Sequence, residues 1–445
     1  MAKLAGPKGR LFTGHLANFR HDRLAFFTHC ARTFGDVVPL RIVHRKCLLI
    51  SDPELIEQVL VSRSKHFIKH FGLRVYKPML GNGLVTSEGD FWRRQRKLSA
   101  PAFQAARLPA YAQTMVATTM QMLDGWSKEQ VRDVYADMGR LTLEIACKTL
   151  FGTAAAPDAR VVGAALFDAM ETLGRRLRSV VPLPGWLPTP ANRRLKRSID
   201  TLDAIILKII AEGRRTAQTE SADLLSILLR ARDDDGSSMT DRQLLDEVRT
   251  LFIAGHETTA LALTYSLYLL AMHPQIQTSI EEELKEVLNG RPPGYSDLPR
   301  LRQTRNVVAE ALRLYPPADV IGREAVTGCT IGTVEIPKAT NIFMSPWVMH
   351  RDPRYFNEPD RFDPGRWTDE FERALPRFAY FPFGGGPRFC IGQSFALTEA
   401  ALTLATMCLR FRFSPLDNQP LKLWPAITLR PRNGVRLLAR AHATG

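Results

Sequence analysis

Hydrophobic residues recur at helical spacing through most of this chain, and the longest such pattern lies near its middle. The pattern begins at Thr240-Asp241-Arg242-Gln243, which fits a capping box, and it continues to His273, where Pro274 ends it. About 33 residues in an α-helix would span roughly 50 Å. We therefore expect one unusually long helix here.

Shorter patterns predict the rest of the architecture. Helical spacing dominates from about 91 to 220 and returns near 275–289 and 302–314. Alternating apolar residues predict a hairpin of strands at 37–43 and 47–50, broken strands over 326–343, and short strands near 410–440. No repeat and no obvious linker interrupts the chain. We predict a mainly α-helical fold with small β-sheets, in a single domain over residues 1–445.

Two irregular stretches stand out against this background. Residues 62–86 carry glycines and a proline at positions that break both periodicities, and long irregular segments in compact proteins are often functional loops. Residues 180–188, rich in proline and apolar side chains, suit a lid over an apolar cavity, a patch that touches a membrane surface, or a simply packed loop.

Composition narrows the class of protein. The 445 residues include 60 Lys and Arg against 45 Asp and Glu, which gives a net charge of +15. The basic residues are spread out and no nucleic-acid motif occurs, so we expect an acidic protein partner rather than nucleic acid; the alternative is a basic surface that only confers solubility. No apolar run reaches the ~18 residues of a transmembrane helix, and the N-terminus lacks the apolar segment of a signal peptide. We predict a cytoplasmic protein without a transmembrane anchor.

One of the six cysteines has a distinctive setting. The cysteines are widely scattered, without the pairs or histidine spacing of a zinc site. Cys390 ends the glycine-rich run 383–392, and an apolar helix is predicted from Ile391 to about Leu409. A helix N-terminus stabilises the thiolate, and three successive glycines let the backbone approach a large flat group. We interpret Cys390 as the axial ligand of a haem iron; the alternative is a structural cysteine beside an ordinary glycine turn.

The long helix carries a second chemical motif, Ala254-Gly255-His256-Glu257-Thr258-Thr259. Glycine and threonine are poor helix formers, and a threonine hydroxyl can bond to the carbonyl four residues earlier and bend the helix. Glu257 and Thr258 place an acid beside an alcohol, which suits the relay of protons to bound dioxygen. The alternative is an amphipathic helix with an incidental polar kink.

Two further motifs contain arginines. Trp92 and Arg96 are i, i+4 neighbours, and an indole N–H with a guanidinium suits a haem propionate, which Arg388 could also reach. Glu310 and Arg313 share a helix face, where the alternative is a single exposed ion pair. With an arginine from Pro359-Asp360-Arg361-Phe362, they would form a Glu310–Arg313–Arg361 triad that clamps the loop-rich segment before Cys390.

Taken together, these motifs resemble those of the cytochrome P450 family, the haem-thiolate monooxygenases, over essentially the whole chain. They occur in family order and at family-like separations. The matching motifs are Phe383-x-x-Gly386-x-Arg388-x-Cys390-x-Gly392, Glu310-x-x-Arg313, Ala254-Gly255-x-Glu257-Thr258-Thr259, Trp92-x-x-x-Arg96 and Pro359-x-Arg361-Phe362.

The resemblance implies a P450 fold, haem b as cofactor, and roles for the matching residues. Glu257 and Thr258 would relay protons and Ala254 would contact the haem, while Glu310, Arg313 and Arg361 would be structural. Around the haem, Cys390 would bind the iron, Phe383 and Gly384 would lie beside the sulfur, and Trp92, Arg96, Arg323 and Arg388 would bind the propionates.

The resemblance also implies partners. A soluble, monomeric prokaryotic member without a fused reductase would take O2 and receive electrons from a separate ferredoxin or flavodoxin with its reductase. Because such partners tend to be acidic, Arg93, Arg94 and Lys97 are candidates for a docking face.

The substrate is expected to be apolar, such as a fatty acid, terpenoid, steroid or polyketide-like molecule. Two alternatives to an O2-dependent monooxygenase are a peroxide-using haem-thiolate enzyme, which usually lacks the acid–alcohol pair, and a haem-binding carrier or sensor. Candidate cavity walls are the stretches 68–84, about 165–188, 253–254 and 318–321, with Phe71, Leu73, Leu84, Val320 and Ile321 as the named side chains.

Overall fold

The computed structural model describes residues 4–152, 159–178, 184–216, 223–416 and 420–442. The chain forms two compact units. The first consists of Met1–Arg74, Ala309–Cys390 and Leu423–Arg430, and the second of Val75–Val308, Ile391–Lys422 and Pro431–Gly445. Each unit is therefore assembled from separate pieces of chain. The prediction of a single domain stays a prediction.

Helices make up most of the described chain and the strands are short, so the predicted mainly α-helical fold with small sheets is confirmed. The helices are α1 (Leu16–His21), α2 (Arg23–Phe34), α3 (Pro53–Glu57), α4 (Phe71–Arg74), α5 (Lys77–Leu80), α6 (Gly89–Ser99), α7 (Leu108–Asp124), α8 (Val134–Phe151), α9 (Ala159–Arg178), α10 (Pro190–Thr216), α11 (Leu224–Arg230), α12 (Asp241–Met272), α13 (Pro274–Leu288), α14 (Arg302–Leu314), α15 (Pro346–Met349), α16 (Asp369–Ala374) and α17 (Gln393–Arg410). The strands are β1 (Val37–Ile42), β2 (Arg45–Ile50), β3 (Phe67–Lys69), β4 (Glu129–Asp133), β5 (Ile321–Ala325), β6 (Cys329–Ile331), β7 (Val334–Ile336), β8 (Asn341–Met344), β9 (Phe411–Pro415), β10 (Leu423–Pro425), β11 (Leu429–Pro431) and β12 (Arg436–Ala441).

The first unit is built on a five-stranded sheet with the order β1-β2-β8-β5-β3. The predicted hairpin is present as the antiparallel pair β1 and β2, and β2 also pairs in parallel with β8. Residues 47–50 of β2 are buried in succession rather than alternately, which is typical of a strand covered on both faces. Its side chains accordingly join two apolar clusters, with Leu48 and Ile50 in one and Cys47 and Leu49 in the other.

The strands in the structure have different bounds from the strand region predicted at 326–343. β5 begins at Ile321, earlier than the pattern indicated, and pairs with both β3 and β8. Gly332 then lies in the turn of the small β6–β7 hairpin, and Pro337 follows β7. The segment Ile321–Ala325 contains a glycine and two charged residues and so lacks a strand pattern, and it is held by strands elsewhere in the chain.

The second unit is organised around α12, which runs without interruption over 32 residues. The predicted capping box is present, because the Thr240 hydroxyl accepts from the Gln243 amide and the Gln243 side chain accepts from the Thr240 amide. The helix packs against α8, α10 and α17 and is buried along most of its length. The unit also contains a three-stranded antiparallel sheet of order β4-β12-β9.

The irregular stretches have only short elements. Residues 62–86 contain β3, α4 and α5, separated by turns. In the stretch 180–188, residues 180–183 lie outside the described residues. The Trp186 side chain is 81% exposed. Among the described helices, none is both long and apolar enough to cross a membrane.

Candidate functional site

Cys390 ends a loop of the first unit whose backbone conformation depends on glycine. The Cys390 amide donates to the Phe383 carbonyl at 3.1 Å, which closes the loop. Gly384 and Gly386 have φ of 74° and 67°, in the left-handed region that favours glycine. A Cβ on Gly386 would lie 1.8 Å from the backbone oxygen of Leu60, so the loop fits its neighbour only with glycine there.

Cys390 is also the one exposed cysteine of the six, all of which lie in described parts of the chain. Burial raises the pKa of Cys30 to about 11 and that of Cys47 to about 12, and it raises the pKa of Cys408 further. These buried thiols stay protonated at neutral pH and cannot serve as thiolate ligands. Within the described residues, no group of three or more His, Cys, Asp or Glu side chains could hold a metal ion. The donor set therefore fits a metal bound through one thiolate, as in haem-thiolate proteins.

The other predicted residues of the first unit lie around this loop and on β5. Phe383 and Arg388 are half-buried, and Ile321 approaches Gly384 closely enough to contact a Cβ placed there. Arg323, on the same strand as Ile321, is half-buried and donates to the Gly322 carbonyl at 3.0 Å. The structure thus brings β5 and the cysteine loop together within one unit.

His70 was missed by the sequence reasoning. Its ring packs where Gly322 has no side chain, since a Cβ on Gly322 would lie 2.3 Å from the ring. The Gly72 amide donates to its Nδ1 at 3.2 Å. Burial, followed by the charges of Arg323, Arg23 and Arg74, lowers the pKa of His70 to about 3. The sequence offered no signal for this contact, because Gly322 lies before the predicted strand region 326–343.

In the second unit, Trp92 and Arg96 lie on α6, one helical turn apart. Trp92 is 8% exposed, and Arg96 is half-buried. Both share a helix with Gln95, which is fully buried. The structure supports the predicted i, i+4 arrangement on a helix; their function as propionate ligands stays a prediction.

The acid–alcohol motif lies in the middle of α12. The hydroxyls of Thr258 and Thr259 donate to the carbonyls of Ala254 and Gly255, at 2.7 and 3.0 Å, in the predicted back-bonding pattern. Glu257 is 8% exposed. Ala254 is exposed, and a Cβ on Gly255 would have no atom within 4 Å. A mostly buried helix thus opens at Ala254 and Gly255, next to the residues expected to handle protons.

The predicted Glu310–Arg313–Arg361 triad is wrong in its third member. Arg313 does pair with Glu310 through two bonds of 2.8 Å, with both side chains fully buried. Arg361 contributes only its backbone oxygen, at 2.9 Å from Arg313, while its guanidinium pairs with Glu358 at the surface. Arg366 supplies the third guanidinium, at 3.0 Å from Glu310. The segment Pro364-Gly365-Arg366-Trp367 repeats the Pro-x-Arg-aromatic pattern, and the Trp367 indole also donates to Glu310.

The predicted docking cations are mostly paired. Arg94 contacts the Asp233 carboxylate at 3.0 Å, and Lys97 pairs with both Asp233 and Asp234. The acidic segment that follows α11 is therefore held by α6. Arg93 pairs with Asp90 through an exposed i, i+3 contact, which contributes little in water.

The chain is also similar in sequence to known proteins. A family model described as Cytochrome P450 matches residues 4–437, which include parts of both units. The chain is 37% identical to cyclooctatin synthase of Streptomyces melanosporofaciens over 95% of this chain and 92% of that protein. It is 36% identical to cyclooctat-9-en-7-ol 5-monooxygenase of the same organism, over 87% and 84% of the two chains. Pentalenene oxygenase of Streptomyces avermitilis is 36% identical, over 96% and 95%.

Proposed function

Because the chain belongs to the cytochrome P450 family and is a haem-dependent monooxygenase acting on an apolar substrate, we propose that this substrate is a cyclic terpenoid. Two relatives carry names that denote an unsaturated cyclic alcohol and an alkene. Of the substrate classes that the sequence suggested, a terpenoid fits these relatives best. The single observation that carries the proposed chemistry is the exposed thiol of Cys390 at the end of its glycine loop.

Cys390 holds the iron of haem b in this proposal, and bound haem supplies the activation of O2 and the transfer of one oxygen atom to the substrate. Phe383 and Gly384 shape the surroundings of the sulfur. The propionates are bound by Trp92, Arg96, Arg323 and Arg388. The support is chemical, because these residues offer N–H donors and positive charge to carboxylates.

Glu257 and Thr258 relay protons in this proposal, and Ala254 contacts the cofactor. The Thr258 hydroxyl gives its hydrogen to the Ala254 carbonyl, so its oxygen lone pairs are oriented to accept a hydrogen bond. Glu257 supplies a carboxyl group in the same helical turn. We expect the Thr258→Ala variant to convert more of the O2 that it consumes into peroxide and less into product. A ratio of product formed to O2 consumed equal to that of the parent would show that Thr258 is not part of the relay.

The thiolate ligand is tested by the absorption spectrum of the reduced, carbon-monoxide-bound protein. Cys390→Ser should abolish the thiolate band, whereas Cys329→Ser should keep it, because Cys329 is half-buried in a hairpin. Persistence of the band in Cys390→Ser would overturn the assignment. Turnover with peroxide but none with O2 and a reductase would favour a peroxide-using enzyme, and no turnover with either would favour a carrier or sensor.

The substrate class is tested by the spin-state shift of the haem iron. Cyclic diterpene and sesquiterpene alkenes should produce the shift at lower concentration than fatty acids or steroids of similar size. Tighter binding of a fatty acid or steroid would replace the terpenoid proposal.

Electrons come from a separate ferredoxin or flavodoxin in this proposal, and the basic net charge of the chain supports an acidic partner. Arg93 is the best candidate contact, because Arg94 and Lys97 already bind an acidic segment. Arg93→Glu should slow reduction more than Arg94→Glu, and equal rates in both variants would remove α6 from the docking face.

The remaining proposals concern the state of the protein. We expect a monomer that acts as one catalytic domain in the cytoplasm, where a reducing environment suits cysteines that form no disulfide in the described residues. Sedimentation and cell fractionation test these points.

A further inference from the structure

The loop between α5 and α6 is fastened to α12 at three successive points. The Thr250 hydroxyl approaches the Leu80 carbonyl at 3.4 Å. One helical turn earlier, the Asp246 carboxylate accepts from the Asn82 amide at 2.8 Å, and the Glu247 carboxylate accepts from the Leu84 amide at 3.1 Å. All of these groups belong to the second unit.

Of these contacts, the one made by Glu247 requires the largest desolvation of a charged group. Its side chain is fully buried, and a buried carboxylate is tolerated only when hydrogen bonds replace its water. The second Glu247 oxygen accepts from the Gln95 side chain at 3.2 Å, and Gln95 is itself fully buried on α6. Glu247 therefore joins the loop, α6 and α12 at one buried point.

Two glycines make the close approach of the loop to α12 possible. A Cβ on Gly83 would lie 2.1 Å from the Thr250 hydroxyl, and a Cβ on Gly81 would lie 2.0 Å from the Asp246 carboxylate. Gly81 also has φ of 60°, a conformation that favours glycine. The backbone thus rests directly on the helix, with no side chain between them.

Helix geometry connects this anchor to the reactive part of α12. Glu247, Thr250, Ala254 and Thr258 follow one another at intervals of three or four residues, and so they share one face of the helix. The Leu84 amide, which donates to Glu247, therefore lies against the face of α12 that also carries the exposed Ala254. Ala254 follows Glu247 by seven residues, or roughly 10 Å along the helix axis.

We propose that Glu247 is a positioning residue that determines substrate specificity, because it fixes Leu84 as a wall of the substrate space beside Ala254. Glu247 acts through the Leu84 amide and does not touch the substrate. The effect on substrate specificity rests on the proposed function, whereas the anchor between Glu247 and the Leu84 amide does not.

Hydrogen exchange of the haem-loaded protein tests the anchor. Glu247→Ala should raise the exchange rate of amides in residues 81–86 by about tenfold or more, because the acceptor of a charged hydrogen bond is removed. Glu247→Gln should restore protection, because its amide oxygen accepts from Leu84 and its N–H donates to a reoriented Gln95. Gly83→Ala should also raise the exchange rate, because the added Cβ would clash with Thr250 and push the loop away from α12. Thr264→Val is the matched control, because Thr264 is buried on the same helix and bonds only to Ala260.

Azole binding tests the effect on specificity. Imidazole and 4-phenylimidazole both ligate haem iron, and only the larger one needs the space that Leu84 borders. Glu247→Ala and Gly83→Ala should each change the ratio of the two dissociation constants by about fivefold or more, corresponding to about 1 kcal/mol. Glu247→Gln and Thr264→Val should leave the ratio unchanged.

Two results would overturn the proposal. Unchanged exchange of residues 81–86 in Glu247→Ala would show that the loop does not depend on Glu247. Faster exchange with an unchanged azole ratio would reduce Glu247 to a structural residue. If the parent protein bound neither azole, the haem assignment would fail instead, and the exchange measurement would still decide the anchor.

Discussion

Individual side chains of this protein have sharply different chemistry according to their burial, and the cysteines show it best. Cys47 is 2% exposed, and with a pKa of about 12 only about one Cys47 thiol in 10,000 is ionised at pH 8. Cys390 is exposed. We expect iodoacetamide at pH 8 to modify Cys390 of the haem-free protein long before Cys47, as mapped by peptide mass spectrometry. Rapid modification of Cys47 in the native state would contradict the observed burial.

The buried ion pairs of Glu310 should contribute strongly to the stability of the protein. Glu310→Gln leaves the Arg313 and Arg366 guanidiniums buried without a countercharge, which should lower the free energy of unfolding by about 3–5 kcal/mol. Urea unfolding followed by circular dichroism measures the change. Glu358→Gln is the control, because the Glu358–Arg361 pair is exposed and its loss should have little effect.

The same assay distinguishes the two arginines that share a sequence pattern. Arg366→Gln should destabilise the protein strongly, while Arg361→Gln should not, because the Arg361 guanidinium is 61% exposed. The opposite ranking would restore Arg361 as the third side chain of the cluster.

His70 predicts a pH dependence of stability. Its native pKa, lowered to about 3 by burial and neighbouring arginines, lies below the unfolded value of 6.5, so the unfolded state binds more protons between these values. Stability from this group is therefore present above about pH 6.5 and declines as the pH falls toward 3. At pH 5 the loss should be about 2 kcal/mol.

A substituted protein isolates this contribution. His70→Gln should flatten the pH dependence of urea unfolding between pH 6.5 and 5, whereas His21→Gln, at an exposed position, should not. Equal slopes in the parent and His70→Gln proteins would show that His70 is protonated in the native state.

At the scale of elements, the cysteine loop is the most constrained segment. Gly386→Ala combines a positive φ with a clash against the Leu60 backbone, so the loop should not close and haem should not be retained. Gly35→Ala is the matched control, because Gly35 has φ of 92° and no atom near an added Cβ, which leaves a backbone strain of about 1–3 kcal/mol without a clash. Haem content of the purified variants separates the two outcomes.

Elements encoded by local chemistry could be predicted from the sequence. The Thr240–Gln243 box, the stop at Pro274 and the alternating strands of the first hairpin all depend on residues within a few positions of one another. The chemical motifs around Cys390 and Thr258 were equally local. The hydrogen bonds that the Thr258 and Thr259 hydroxyls donate to the carbonyls four residues earlier could thus be predicted.

Features that depend on distant partners could not be predicted. Arg361 and Arg366 have similar sequence surroundings, and only the tertiary contact with Glu310 distinguishes them. Lys97 looks like a surface cation until Asp233, 136 positions away, is placed beside it. The anchor at Glu247 likewise joins an amide to a carboxylate 163 positions later.

At the scale of the whole molecule, each unit consists of separate pieces of chain, and this predicts how fragments behave. Residues 75–308 alone would lack α17, β9 and β12, which pack against α7, α12 and β4 of the same unit. We expect this fragment to show helical circular dichroism without a cooperative thermal transition, because its apolar faces remain exposed. A sharp transition in the isolated fragment would contradict the division into units.

The ion pair between Arg23 and Asp319 has a consequence for synthesis in the cell. The two side chains form a buried, two-pronged contact within the first unit, yet they are 296 positions apart. At typical translation rates the ribosome needs roughly 15 to 60 s to travel from one to the other. Throughout that interval the nascent hairpin of β1 and β2 lacks β8, so the edge of β2 is unpaired, and Arg23 lacks its partner Asp319. Such a form is what chaperones bind, so production of this enzyme should depend on their supply.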